Sequence, residues 1–416
     1  MLPWLLGGLA AVAIVGLLGA ELWARRLVRR LRAGFQWLIT ERDEAPPLSE
    51  HGLQKFIREG YDPELGWVRK PNTSGVEQGR QGAIVWRIDA FGARHDPYLE
   101  GTPARIVAVG DSFTFARQVP DAAAWPAVLS RRLGVRVANF GVGNYGVDQA
   151  ILRYEREGRV PGARVALLGV VPETIVRIHS AWKHYSEYGN TFAFKPRFRL
   201  VEGQLELCPN VITQPEQFAR YTEFLPELQA RDLFYRSKFC RDMIRPPYLW
   251  RWLASARNRR LVALLRARER RRAHGMCDAS CEAAPFRSVL ERNLRLAAAM
   301  YDRAECCALF AALVQRFARL VRAAGAEPVL IMFPQPLDWE CFGAAQPYRP
   351  LLARLQVTLR VLDAAALFLE QEPRRLGVDD QHGGHYSVEG NEAVARFIAH
   401  HVAPLFHEEA APLGTR

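Results

Sequence analysis

The first pattern along the chain is an unbroken apolar run. From Leu2 to Ala20 no side chain is charged, and roughly 20 such residues make a helix long enough to span a bilayer. Glu21 and Trp23 then begin an interfacial flank, with no clear small-x-small cleavage site, so the run predicts an anchor helix rather than a cleaved signal. Residues 41–60 read as a linker and short helix, broken at Pro46 and Pro47. Between 61 and 96, turn clusters (YDPELGW, KPNTSG, IDAFGARH) enclose one alternating run, AIVWRI, which predicts a strand in a small β-rich leader. Apolar runs of buried-strand length follow at ARIVAVG (104–110), VRVANFG (135–141), ARVALLGV (163–170) and EPVLIMFP (327–334), with a weaker one at LRVLDA (359–364). Helical periodicity separates them, notably at 124–133 and 308–325. Strands alternating with helices predict βαβ units, a parallel sheet and a site at the carboxyl ends of the strands. About 130 residues separate the third strand from the helix before the fourth, too many for a structureless loop. A large, mostly helical insertion is therefore predicted over 178–300.

These patterns divide the chain into a transmembrane anchor (1–24), a basic flank and linker (25–60), the leader (61–103) and one α/β domain with its insertion (104–410). Charge changes the picture. The formal net charge is +12, but five arginines fall in residues 25–32 and ten in residues 245–272, the latter against a single acid, Glu269. The remainder is close to neutral. With no recognition motif beside either cluster, this excludes a uniformly basic nucleic-acid binder. By the positive-inside rule the first cluster places the body in the cytoplasm, with the periplasm as the alternative. The second cluster, LWRWLASARNRRLVALLRARERRR, sets Leu249, Trp252, Leu253, Leu261, Leu264 and Leu265 against an arginine face. It reads either as a helix lying on anionic lipid or as a solvated surface helix. The bilayer is the expected partner. Seven cysteines, odd in number and scattered, exclude a disulfide-dense class. Cys277 and Cys281 lack the second pair that a metal site needs. In a periplasmic body, Cys208–Cys240 and Cys277–Cys281 become candidate disulfides. Cys306 and Cys307 lie in a helical pattern, one expected buried and the other half-exposed. No phosphate- or dinucleotide-binding glycine loop occurs, and neither a metal nor any other cofactor is expected.

The candidate chemistry lies at two distant points. Gly110-Asp111-Ser112-Phe113 ends the first strand, where a serine hydroxyl stands at the mouth of the sheet and helix-start N–H groups can face an anion. Asp and Ser are also ordinary helix caps. Near the other end, Asp379-Asp380-Gln381-His382-Gly383-Gly384-His385-Tyr386-Ser387 runs into a final helix. A histidine there can serve as base for a serine and be oriented by a carboxylate, while Ser387 caps the helix.

On these motifs the sequence resembles the SGNH (GDSL-type) hydrolases, an ester-cleaving superfamily, and within it membrane-anchored bacterial members. The resemblance implies a flavodoxin-like three-layer α/β/α fold. Its first block matches Gly110-Asp111-Ser112, with Ser112 as nucleophile. Its second matches Asn139 to Gly146, where the backbone donor to the oxyanion falls on Asn144, after Gly143. The third block normally carries an asparagine that completes the oxyanion hole, and Gly169-Val170-Val171-Pro172-Glu173-Thr174 has none. Thr174, Arg177, His179 or the Asn144 side chain are the candidate substitutes. In the last block His385 matches the base, but His382 stands where the aspartate belongs. Asp380 or Asp379 would orient His385 if the glycines let the loop bulge, and otherwise the site is a Ser-His dyad. Asp111 is a further supporting candidate. The leader motifs YDPELGW, KPN and Phe91-Gly92-Ala93-Arg94 are similar to those of the membrane-anchored group, often associated with cell-envelope glycans.

The resemblance thus implies an acyl-enzyme on Ser112, with the N–H groups of Ser112 and Asn144 facing the oxyanion. An acylated carbohydrate or lipid-linked substrate is expected, and no nucleic acid. Asp148 and Gln149 read as a helix start before they read as substrate contacts. Trp182, Tyr185, Tyr188 and Phe192 read as core before they read as a sugar-stacking wall. Three functions stay open: a serine esterase, an O-acyltransferase on the same fold, and a non-catalytic tethered binding or assembly protein.

Overall fold

The computed structural model describes residues 2–378 and 384–407, with side chains from residue 8 onward. Helix α1 (Leu2–Ala33) contains the stretch that is long and apolar enough to cross a membrane. Its apolar side chains from Leu9 to Leu18 stand exposed, whereas Ala24, Leu27, Val28 and Leu31 are buried. Helix α2 (Glu50–Glu59), capped by the Ser49 hydroxyl, leads into two small antiparallel hairpins. They are β1 (Tyr61–Asp62) with β2 (Gly66–Trp67), and β3 (Ser74–Gly79) with β4 (Gly82–Arg87). The alternating run AIVWRI is the second strand of the larger hairpin, and its outer face stays wet.

The apolar runs form one parallel sheet. After β5 (Ala104–Gly110) come the one-turn helix α3 (Ser112–Phe115), α4 (Trp125–Leu133), β6 (Arg136–Asn139), α5 (Val147–Arg153) and β7 (Val165–Val170). The insertion holds the hairpin β8 (Arg197–Val201) and β9 (Gln204–Cys208), then α6 (Tyr248–Ala254), α7 (Ala256–Ala273) and α8 (Ala279–Tyr301). Helix α9 (Ala304–Ala323), β10 (Glu327–Met332), β11 (Arg360–Asp363) and α10 (Val388–Val402) complete the domain. The sheet order is β11-β10-β7-β5-β6, so the order reverses between β5 and β7, the doubly wound flavodoxin-like arrangement. Strand periodicity explains the three layers. Val107, Val109, Ala166, Leu168 and Leu330 point to the face covered by α5 and α9. Ile106, Ala108, Val165, Leu167 and Ile331 point to the face covered by α4 and α10.

Three expectations change. The arginine-rich segment is two helices, not one, because Ser255 leaves α6 and caps α7 by accepting from Asn258 N–H (3.3 Å). The face of α7 bearing Leu261, Val262 and Leu265 packs on α1 beside Tyr248, so it is core and not a lipid-lying stripe. Cys306 and Cys307 are both buried, because the first turn of α9 enters the core. Of the candidate disulfides, Cys277–Cys281 is formed, while Cys208 and Cys240 are free thiols.

Candidate active site

The site is built where β5 and β7 end at the reversal of strand order. Gly110 has φ +155°, and a Cβ there would lie 1.9 Å from Gly169 O and 2.2 Å from Thr114 Oγ1. Only glycine allows that approach. Asp111 then caps α3, accepting from Phe113 N–H (2.9 Å), and its other oxygen accepts from Val171 N–H (3.0 Å) and from Arg177 (3.3 Å). Burial pushes the Asp111 carboxyl up, and Arg177 opposes that. Asp111 therefore ties the two strand ends together and aims Ser112 over the sheet.

Ser112 Oγ lies 2.8 Å from His385 Nε2. On the other side of the ring, His385 Nδ1 lies 2.7 Å from Gln118 Oε1, which also accepts from the His385 backbone N–H (3.2 Å). The Gln118 amide orientation follows from Nε2, which donates to Gln78 O (3.2 Å). An amide oxygen only accepts, so Nδ1 carries the ring proton and Nε2 presents its lone pair to the serine hydroxyl. That is the tautomer a general base needs. Burial, then Arg117 and Arg177, hold His385 well below its ordinary range, so the ring is neutral. The side chain of His385 also stacks at a tilt on Phe113, with ring centroids 4.8 Å apart.

Gln118 is the group that sequence reasoning missed. It sits in left-handed backbone (φ 66°), and its own N–H donates to Glu77 Oε2 (3.2 Å). Glu77, on β3, also accepts from Arg117 Nε (3.0 and 3.1 Å) and pairs with Arg69 (3.5 Å). Nothing local marks this glutamine, because its partner is 267 residues away and its support comes from the leader hairpin. Asp380, Asp379 and His382 lie outside the described residues.

The second block forms the opposite wall. Val142 N–H donates to Gly110 O (3.0 Å), which brings Gly143 so close that a Cβ on it would lie 4.0 Å from Ser112 Cβ. Asn144 has φ 70°, and Trp67 Nε1 donates to Gly143 O (2.9 Å), fixing the turn. Among the described residues, the N–H groups of Ser112, Gly143 and Asn144 donate to nothing. Thr174 is fully buried and its hydroxyl accepts from Val147 N–H (3.1 Å), which supports this turn from beneath. Asp148 is buried against Lys195 (2.5 Å), and Gln149 Nε2 donates to Leu65 O (2.7 Å), so both serve the framework. Trp182, Tyr185 and Tyr188 are core residues. Phe192 differs, stacking on Phe56 with centroids 5.5 Å apart. Both line a cleft of about 490 Å³, together with Trp67, Lys55, Arg69 and Arg117, and the cleft reaches Gly143 and Asn144.

No family model matches this chain, and no curated protein does. Among solved structures the chain is similar to one described as a lipolytic protein of the G-D-S-L family from Desulfitobacterium hafniense DCB-2. The identity is 11%, over 71% of this chain and 97% of that one, with a TM-score of 0.31. So loose a likeness decides nothing about the site, whose case rests on its own geometry.

Proposed function

We propose that the protein is a membrane-anchored serine esterase in which Ser112 is the nucleophile, His385 its base and Gln118 the group that orients the base. One observation carries this reading: the hydrogen-bonded run from Ser112 Oγ through the imidazole to Gln118 Oε1. His385 Nε2 takes the serine proton as Oγ bonds to the ester carbonyl carbon. The oxyanion meets the free N–H groups of Ser112, Gly143 and Asn144, and Asn144 N–H fills the second-block role. The imidazolium then returns its proton to the leaving alcohol as the C–O bond breaks, giving an acyl-enzyme that water clears by the same steps. Here Gln118 takes the orienting part that the sequence pattern offered to Asp380.

An acylated carbohydrate or glycolipid is the proposed substrate. The rings of Phe56, Trp67 and Phe192 lining the cleft beside Lys55, Arg69 and Arg117 support a hydroxyl-rich, partly apolar ligand. The test is fluorophosphonate labelling of the purified full chain together with p-nitrophenyl acetate hydrolysis. Ser112 is expected to label, and Ser112→Ala and His385→Ala to abolish hydrolysis. An unlabelled Ser112 with hydrolysis unchanged in Ser112→Ala would leave the tethered binding reading instead. Acyl transfer that appears only on adding a sugar acceptor would move the assignment to an O-acyltransferase.

A further inference from the structure

Helix α6 (Tyr248–Ala254) carries an apolar surface that nothing among the described residues covers. Trp250 is 67% exposed and Leu253 46% exposed. Spaced by three residues, they share one side of the helix. Leu22 and Trp23 of α1 are likewise half-exposed, and Trp23 meets Trp252 with centroids 5.8 Å apart. The height of this patch along α1 is fixed. Both oxygens of the Glu21 carboxylate accept from the start of α6, from Tyr248 N–H (2.5 Å) and Leu249 N–H (2.9 Å). The anchor's uncharged run ends one residue earlier, at Ala20, so α6 begins where α1 leaves the hydrocarbon.

We infer that α6 is an interfacial helix, lying in the headgroup region of the bilayer that α1 crosses, with Trp250 and Leu253 sunk towards the acyl chains. This rests on α1 being a membrane span, and it names the one surface that seats the folded body on the membrane. Three features favour lipid over another protein as the occupant. The patch is continuous with the exposed apolar surface of α1. Its exposed rings are tryptophans, the side chain enriched at the headgroup level. It is also rimmed by Arg25 and Arg26 one turn further along α1, and by Arg251 on α6 itself, which suit anionic headgroups. Helix α7, by contrast, spends its apolar face on α1 and several of its arginines on partners within the chain: Arg257 on Trp37 O, Arg268 on Gly34 O and Arg260 on Glu291. The lipid contact expected of the arginine-rich segment thus falls to its short tryptophan helix.

The test uses the full chain in vesicles of phosphatidylethanolamine and phosphatidylglycerol, with photo-crosslinking p-benzoylphenylalanine placed singly at four positions. These are Leu18 within the span, Trp250 and Leu253 on α6, and Val357, 91% exposed on the body. Phospholipid adducts are expected at 18, 250 and 253 and absent at 357. Adducts at 18 but none at 250 and 253, or adducts there to a second copy of the chain, would overturn the seat while leaving the span intact. No adduct at 18 would instead overturn the span, and the seat with it. Fluorophosphonate labelling of each variant checks that the body is folded, since none of the four positions belongs to the site.

Discussion

Gln118 contacts the protonated nitrogen of His385 as a neutral amide, and this sets what the proposed base can do. A carboxylate there would favour the imidazolium, whereas an amide oxygen fixes the tautomer and ring plane without adding charge. Burial, Arg117 and Arg177 all disfavour the charged ring. In the proposed mechanism His385 acts only when neutral, so kcat/KM is expected to hold as pH falls through 6.5, and to drop only where His385 finally protonates. Replacing Gln118 with Glu should move that acid limb upward, and Gln118→Ala should cost about 10²-fold in kcat with little change in KM. Both are read from pH–rate profiles on p-nitrophenyl acetate. A Gln118→Ala profile matching the wild type, with Asp380→Asn inactive, would hand the orienting role to Asp380. Ser112 and His385 were legible in the sequence because each sits in a short motif at an element boundary. Gln118 was not, since an αL glutamine in a loop has no signature of its own.

At the scale of elements, the connection from α3 to α4 leaves the helix that bears Ser112 and holds Gln118, and one buried arginine binds it at four points. Arg94, 3% exposed, donates to Phe115 O, Ala116 O and Val119 O (2.6 Å each) and pairs with Asp121 (2.9 Å). Its backbone N–H donates to Asn139 O (2.8 Å), which joins it to the end of β6. The Phe91-Gly92-Ala93-Arg94 motif was visible in the sequence, but not its use, because all four acceptors lie 21 or more residues away. Arg94→Ala leaves three buried carbonyls and the Asp121 carboxylate short of a partner. We expect a loss of about 3–5 kcal/mol in denaturant unfolding. Arg94→Lys should recover only part of it, because an ammonium cannot reproduce the planar fork. An Arg94→Ala protein as stable as wild type would mean that the connection holds itself.

Across the whole molecule, the leader is part of the site and not merely attached to it. Glu77 on β3 gathers Arg69, Arg117 and the Gln118 N–H, so a residue 35 positions before Ser112 supports the glutamine that contacts His385. Glu77→Gln should lower kcat roughly tenfold. It also leaves the Arg117 charge, which already opposes protonation of His385, less neutralised, and so moves the acid limb further down. An upward shift of that limb in the pH–rate profile would disprove the coupling. The sequence by itself determined the N-terminal apolar run and the five strands of the sheet, since these depend on residues close along the chain. It also singled out Ser112 and His385 as candidates, because their motifs are local. Tertiary structure alone decided the occupant of the third position beside His385, the use of Arg94 and Glu77, and the split of the arginine-rich segment into α7, whose apolar face is buried, and α6, whose Trp250 and Leu253 stay exposed. It likewise decided that Trp182 is core while Phe192 lines the cleft. Each of these turns on which distant surface a side chain meets, and that follows from how the layers close, not from spacing along the chain.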